Sequence, residues 1–238
     1  MNIAIDYGNS SAKVGVFDGH DLVEHHIFPA ADELKTFLEN FSGEYLIISS
    51  VSRDAAEVSS WARRINTRFI LNPALPLPVI NRYATPETLG VDRIAGVCGA
   101  QSLFPGQPCL VIDCGTCITF DILDRSGSFL GGAISPGLRM RFQAVHTFTR
   151  RLPLVEPLDT VPLIGTSTDT CIRSGVINGL VAEIDGIVAQ YQAQFPDLQV
   201  ILTGGDARFF ENKLKASIFA VPELVLSGLN SILIHNAR

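Results

Sequence analysis

A chain of 238 residues that is 47% hydrophobic and 18% charged has the composition of a folded globular protein, not of a disordered one. A formal net charge of −6 and a pI near 5.3 argue against nucleic-acid binding through general electrostatics. No apolar run approaches the ~20 residues that span a bilayer. The mean hydropathy of +0.27 is high, and implies either a large core or a surface covered by another subunit.

In chain order, residues 2–7, 11–17 and 22–28 are predicted as an antiparallel meander, with Asp18-Gly19 as turn chemistry before the third strand. The N-terminus enters a strand carrying Asp6 and is not read as a signal peptide. A helix is expected over 31–41, a buried strand over 44–51 and a helix over 54–65. The proline-rich "LNPALPLPVINRY" cannot be helical and is placed on the surface, and 86–103 is predicted as helix with Pro86 tolerated at its start. "FPGQP" at 104–108 is the strongest break, and divides the chain into domains 1–106 and 107–238, with the last helix free to pack back on the first.

After the break the order begins again. Strands are expected at 109–113, 117–123 and 128–134, a helix after Pro136, and a long helix over 168–194. Along that helix Ile172, Val176, Ile177, Leu180, Ile184, Ile187, Val188 and Tyr191 recur at helical spacing. "QVILTGG" is a buried strand ending in glycines, and helices are expected over 207–216 and 222–236. Both halves thus open with three strands and later reach an isolated strand ending in small residues. That is an internal duplication, and two similar α/β halves predict a ligand cleft between them.

The duplication is plainest in "IAIDYGNSSAKVGVFD" and "LVIDCGTCITFDILD". In each, a strand ends at Asp-x-Gly, turns over small polar residues and becomes a second strand. Such a turn brings backbone N–H groups close to an anion, since glycine has no Cβ in the way. Asp6 and Asp113 cannot bind phosphate directly, but suit a cation that bridges phosphate oxygens. Either hairpin alone is ordinary turn chemistry; two of them, with a Gly-Gly strand end, favour a nucleotide. No GxGxxG follows a strand, and Gly8 to Lys13 lacks the glycine and the helix of a P-loop. "CGTC" (Cys114 to Cys117) lies across a turn, without a second CxxC or a spaced His pair, so redox and zinc readings are weak. The odd set of Cys98, Cys109, Cys114, Cys117 and Cys171 points to reduced thiols in a cytoplasm.

The set "DYGNSSAK", "PETLGVDRIAG", "DCGTCITFD", "GGAISPGL", "GTST" and "TGGDA" resembles the type III pantothenate kinases, in order and over nearly the whole chain. These belong to the superfamily of acetate kinase, sugar kinases, heat-shock ATPases and actin. The resemblance implies two duplicated ribonuclease H-like domains and ATP-dependent phosphorylation of pantothenate, the first step of coenzyme A synthesis. It implies that Asp6, Tyr7, Gly8, Asn9, Ser10, Ser11, Ala12, Lys13 and Thr116 contact ATP, with Asp6 near Mg²⁺. Asp113 would hold a monovalent cation, K⁺ or NH₄⁺. Gly90, Val91, Asp92, Arg93, Tyr83 and Thr168 would meet pantothenate, with Asp92 as general base, in a homodimer whose substrate site lies at the subunit interface. The chain departs from the family pattern at Val91 (usually Ala), at Ser167 (usually Asn) and at the cysteines flanking Gly115-Thr116.

Residue chemistry agrees with the role of "GVDR". An alcohol attacking a γ-phosphate needs a carboxylate within reach, and Arg93 can clamp a substrate carboxylate. A surface ion pair of Asp92 and Arg93 is the plainer alternative. Two other functions stay open on residues alone: a superfamily kinase or phosphatase with another acceptor, and a nucleotide-binding regulator without chemistry. Asp6, Asp92 and Asp113 together speak against the regulator.

Overall fold

Asn2–Tyr7 (β1), Ala12–Asp18 (β2) and Asp21–Phe28 (β3) form an antiparallel meander in the computed structural model, which describes residues 1–237. Ala31–Asn40 (α1) leads to Tyr45–Ser50 (β4), and Ala55–Trp61 (α2) to Thr67–Ile70 (β5). β4 lies parallel to β1 and β5 parallel to β4, giving the order β3-β2-β1-β4-β5. Ile3, Ile5, Val14, Leu46 and Ile48 point from alternate strand positions onto Leu34 and Leu38 of α1 and Val58 of α2. Ala4 and Ile47 of the opposite face are also buried, which is why β1 and β4 read as continuous apolar runs. α2 is shorter than the predicted 54–65. Asp54 caps its start by accepting from the Ala56 amide, and the backbone leaves the helix at Ala62.

The proline-rich segment contributes a two-residue strand, Ile80–Asn81 (β6). The helix expected over 86–103 begins later than predicted. Pro86–Thr88 is a single 3₁₀ turn, Leu89 and Gly90 are extended, and the helix proper is Val91–Leu103 (α3). The second sheet is built from Cys109–Cys114 (β7), Cys117–Leu123 (β8), Ser128–Pro136 (β9), Gln199–Thr203 (β10) and Phe219–Ala220 (β11). Its order is β11-β10-β7-β8-β9-β6. Taken from β9, the sequence β9-β8-β7-β10-β11 repeats that of the first sheet, and β10 lies parallel to β7 as β4 does to β1. The helices are Leu138–Thr147 (α4), Thr168–Gln194 (α5), Ala207–Glu211 (α6) and Leu224–Asn236 (α7). The predicted α5 stripe packs into the second core, with Ile172, Val176, Ile177, Leu180, Ile184 and Val188 buried against Ile112, Phe120 and Phe142.

The chain forms two compact units that do not follow a single cut. Residues 1–106 carry with them Leu123–Gly131 and the segment from Glu223 onward; the other unit is Gln107–Ile122 with Gly132–Pro222. Within the first unit α7 packs on β1, β2 and β4 and crosses α3 closely. A Cβ at Gly228 would strike the Ala95 carbonyl, and one at Gly99 the Leu224 carbonyl. Among the described residues no helix is long and apolar enough to cross a membrane.

Candidate active site

The β1–β2 hairpin places Asp6 one residue before the end of β1, opposite Lys13 of β2 and beside Ser49 of β4. Burial pushes the Asp6 carboxyl up to about 6; Lys13 opposes the rise, Asp92 adds to it, and the fully buried Ser49 hydroxyl lowers it. A carboxylate half-stripped of water beside a second carboxylate is a site that gains from a cation. The hairpin turn is closed by the Gly8 amide donating to the Ser11 carbonyl at 3.1 Å, leaving Asn9 and Ser10 exposed at its tip. Ala12 is buried, and Tyr7, Ser11 and Lys13 are half-buried.

The loop after β4 braces this turn. The Ser52 hydroxyl donates to the Gly8 carbonyl at 2.6 Å and the Val51 amide to the Tyr7 carbonyl at 3.1 Å. Arg53 forks onto Glu57 at 2.9 and 3.0 Å and lies over Trp61. None of these was assigned from sequence; the trace they left was a strand ending in small polar residues, "LIISSV".

Gly90 and Val91 open α3, and Asp92 sits in its first turn, where the helix dipole favours negative charge. One Asp92 oxygen accepts from the Arg93 amide at 2.9 Å. That leaves the carboxylate with further lone pairs for a substrate hydroxyl. Arg93 is only 8% exposed, which departs from a solvated surface pair. Its guanidinium lies 5.5 Å from the ring of half-buried Tyr83. Asp6, Asp92, Arg93 and Tyr83 all belong to the first unit, and Asp92 is close enough to Asp6 to raise its carboxyl.

Asp113, Thr116 and Thr168 belong to the second unit. Asp113, the penultimate residue of β7, is in register with Thr203 of β10, and its carboxyl lies where a side chain on Gly204 would stand. Gly204 has φ +96°, a conformation that suits glycine and lets the backbone close on the carboxyl. The Asp206 amide donates to the Cys114 carbonyl at 2.8 Å, tying the "TGGD" turn to the β7 end. Thr116 is exposed at the β7–β8 turn. The Cys114 thiol is pushed up by burial, with Asp113 and Asp206 adding, so it stays protonated at neutral pH. Thr168 is the first residue of α5 and lines an open groove of about 1090 Å³ with Arg141, Val145, Leu152 and Cys171. Ser167, the departure from the family pattern, caps α5: its hydroxyl accepts from the Thr170 amide at 3.3 Å. Asn is an equally good cap, so the exchange preserves the helix start.

The sequence model of the type III pantothenate kinases matches residues 2–190. The chain belongs to the type III pantothenate kinase family. It is 45% identical to the type III pantothenate kinase of Phocaeicola vulgatus over 243 residues, covering 100% of both chains. Solved structures share the architecture at lower identity. A Campylobacter jejuni protein named for a Baf family of transcriptional activators superposes with TM-score 0.66 at 22% identity, over 99% of this chain and 98% of that one. A Sinorhizobium meliloti protein named as a 2-dehydro-3-deoxygalactonokinase does so with TM-score 0.61 at 14% identity, over 98% of each. The two-sheet α/β plan of this type III pantothenate kinase family member is therefore the fold of the actin-like ATPases and sugar kinases.

Proposed function

We propose that the chain transfers the γ-phosphoryl group of ATP to the terminal hydroxyl of pantothenate, giving 4′-phosphopantothenate on the route to coenzyme A. The whole-length match to the Phocaeicola vulgatus enzyme carries this reading. Asp92 is the general base, accepting the hydroxyl proton as the oxygen attacks phosphorus. Such a base contributes ~10²–10⁴-fold, about 3–5 kcal/mol of the barrier. Arg93 and Tyr83, with Gly90, Val91 and Thr168, hold pantothenate, and the Arg93 fork meets its carboxylate.

Asp6 to Lys13 and Thr116 receive the nucleotide. A divalent cation fits the buried, raised carboxyl of Asp6, and a monovalent one fits the cradle of Asp113 against Gly204. When bound, Mg²⁺ supplies neutralisation of phosphate charge, and K⁺ or NH₄⁺ a weaker positive field. Lys13 adds a cationic side chain across from Asp6. Two copies pair through the second unit, whose surface carries exposed apolar residues beside Thr168, and the five free thiols accord with a cytoplasmic enzyme.

ADP release measured with and without pantothenate, in K⁺ and then in Na⁺, tests the reading. The expected result is release that needs both pantothenate and K⁺, reduced at least ~10²-fold in Asp92→Asn with ATP binding retained. ADP release without an acceptor would indicate hydrolysis, and near-native turnover of Asp92→Asn would remove it as the base.

A further inference from the structure

Arg93 and Tyr83 rest on a strand that the sequence order assigns elsewhere. Leu123–Gly131, the turn and first residues of the β8–β9 hairpin, group with the first unit. β6 pairs in parallel with the start of β9, Ile80 opposite Ser128 and Asn81 opposite Phe129. The Ile80 amide donates to the Gly127 carbonyl at 2.8 Å and the Arg82 amide to the Phe129 carbonyl at 2.9 Å. Asn81 then turns the chain by accepting from the Tyr83 amide at 3.0 Å. This register sets the Tyr83 ring parallel to the Phe129 ring, 3° apart in plane and 6.0 Å between centroids. Arg93 lies over both, 5.5 Å from Tyr83 and 6.0 Å from Phe129. Gly131, at φ +106°, passes close to Tyr83, with the ring 3.4 Å from where a Cβ would stand.

We infer that Phe129, held by β9, is a positioning residue for acceptor binding: it fixes the Tyr83–Arg93 stack so that the guanidinium meets the acceptor's carboxylate. This rests on the reading of Arg93 given above. The Phe129 ring is fully buried and carries no hydrogen-bonding group, so it acts on Tyr83 and Arg93 through ring contact alone. A guanidinium is attracted to ring faces through its delocalised charge, while a carboxylate is bound through its N–H edge; one group serves both at once. Stacking also limits the rotamers of a flexible side chain before the acceptor arrives, and pre-ordering strengthens binding. Gly131 admits the ring where any other residue would be strained.

The test uses the full-length protein with two acceptors, pantothenate and its alcohol analogue, in which a hydroxyl replaces the carboxylate. Phe129→Leu and Phe129→Met remove the ring while keeping an apolar side chain of similar bulk. Either is expected to raise KM for pantothenate about 10-fold with kcat within about 2-fold, and to leave KM for the alcohol analogue at its native value. Phe129→Tyr keeps the ring and is expected to keep the native KM. Equal KM changes for both acceptors, an unmoved pantothenate KM, or a Phe129→Tyr defect as large as that of Phe129→Met would overturn the platform. Calorimetric titration of pantothenate separates the two readings. A native protein that neither binds nor phosphorylates pantothenate removes the function and the platform together. Native turnover with an insensitive Phe129→Met removes the platform alone.

Discussion

At the scale of one residue, Asp6 carries a burial cost that Lys13 and Ser49 offset only in part. Below about 3.8 its carboxyl is protonated in the folded and the unfolded chain alike, so the group contributes no difference. Between 3.8 and about 6 only the unfolded chain ionises, and folding stability falls as pH rises through that window. The full difference corresponds to about 3 kcal/mol as an upper bound, from ~1.4 kcal/mol per pH unit of displacement. Asp6→Asn should therefore be more stable than the native protein above pH 6 by roughly 1–3 kcal/mol, and equal to it near pH 3.5. Thermal unfolding of both proteins across pH 3.5–7.5 checks this; parallel pH profiles would show that Asp6 ionises in the fold without penalty. Mg²⁺ should raise Tm of the native protein at pH 7.5 and leave Asp6→Asn unmoved, since the variant lacks the charge the cation neutralises.

At the scale of elements, the contact of α3 with α7 fixes the start of the helix that bears Asp92. Gly228 is the point of closest approach, where an added Cβ would meet the Ala95 backbone rather than a flexible side chain. Gly228→Ala should destabilise the protein by about 3 kcal/mol or more, because backbone has to move to admit the methyl group. Urea unfolding measures it, and a loss below ~0.5 kcal/mol, the size of an ordinary surface change, would show that the helices part at little cost. Most elements were legible because apolar spacing marks them: the opening three strands of each half, β4, β10 and the whole of α5. β5, β6 and β11 were not, since two to four residues carry no period and β6 lies among prolines. The same limit applies to the site. Asp6, Asp92 and Asp113 stand in motifs, but Ser49 and Phe129 owe their places to strand register with Asp6 and Asn81, distant in the sequence. The break at 104–108 was visible, whereas the return of Leu123–Gly131 to the first unit depends on β6 pairing that no local pattern encodes.

At the scale of the whole molecule, the most exposed large apolar residues lie in the second unit. Phe148 is 86% exposed, Leu163 82% and Ile164 78%, all between the end of α4 and the start of α5. Leu154 and Leu158 in the same stretch are about half exposed. A monomer leaving such residues in water forgoes ~25 cal/mol for each Å² of apolar surface, and a second copy covering them recovers it. Thr168 borders this stretch, so pairing there would join assembly to acceptor binding. Native protein is therefore expected to sediment as a dimer. The double substitution Leu163→Glu with Ile164→Glu places two carboxylates in a desolvated interface and should yield monomers with an unchanged circular dichroism spectrum. Pantothenate-dependent turnover should fall at least ~10-fold in those monomers, the loss expected when an interface anchor is removed. Native protein that sediments as a monomer while fully active would exclude pairing through this stretch, and monomers that keep native turnover would separate assembly from the acceptor site.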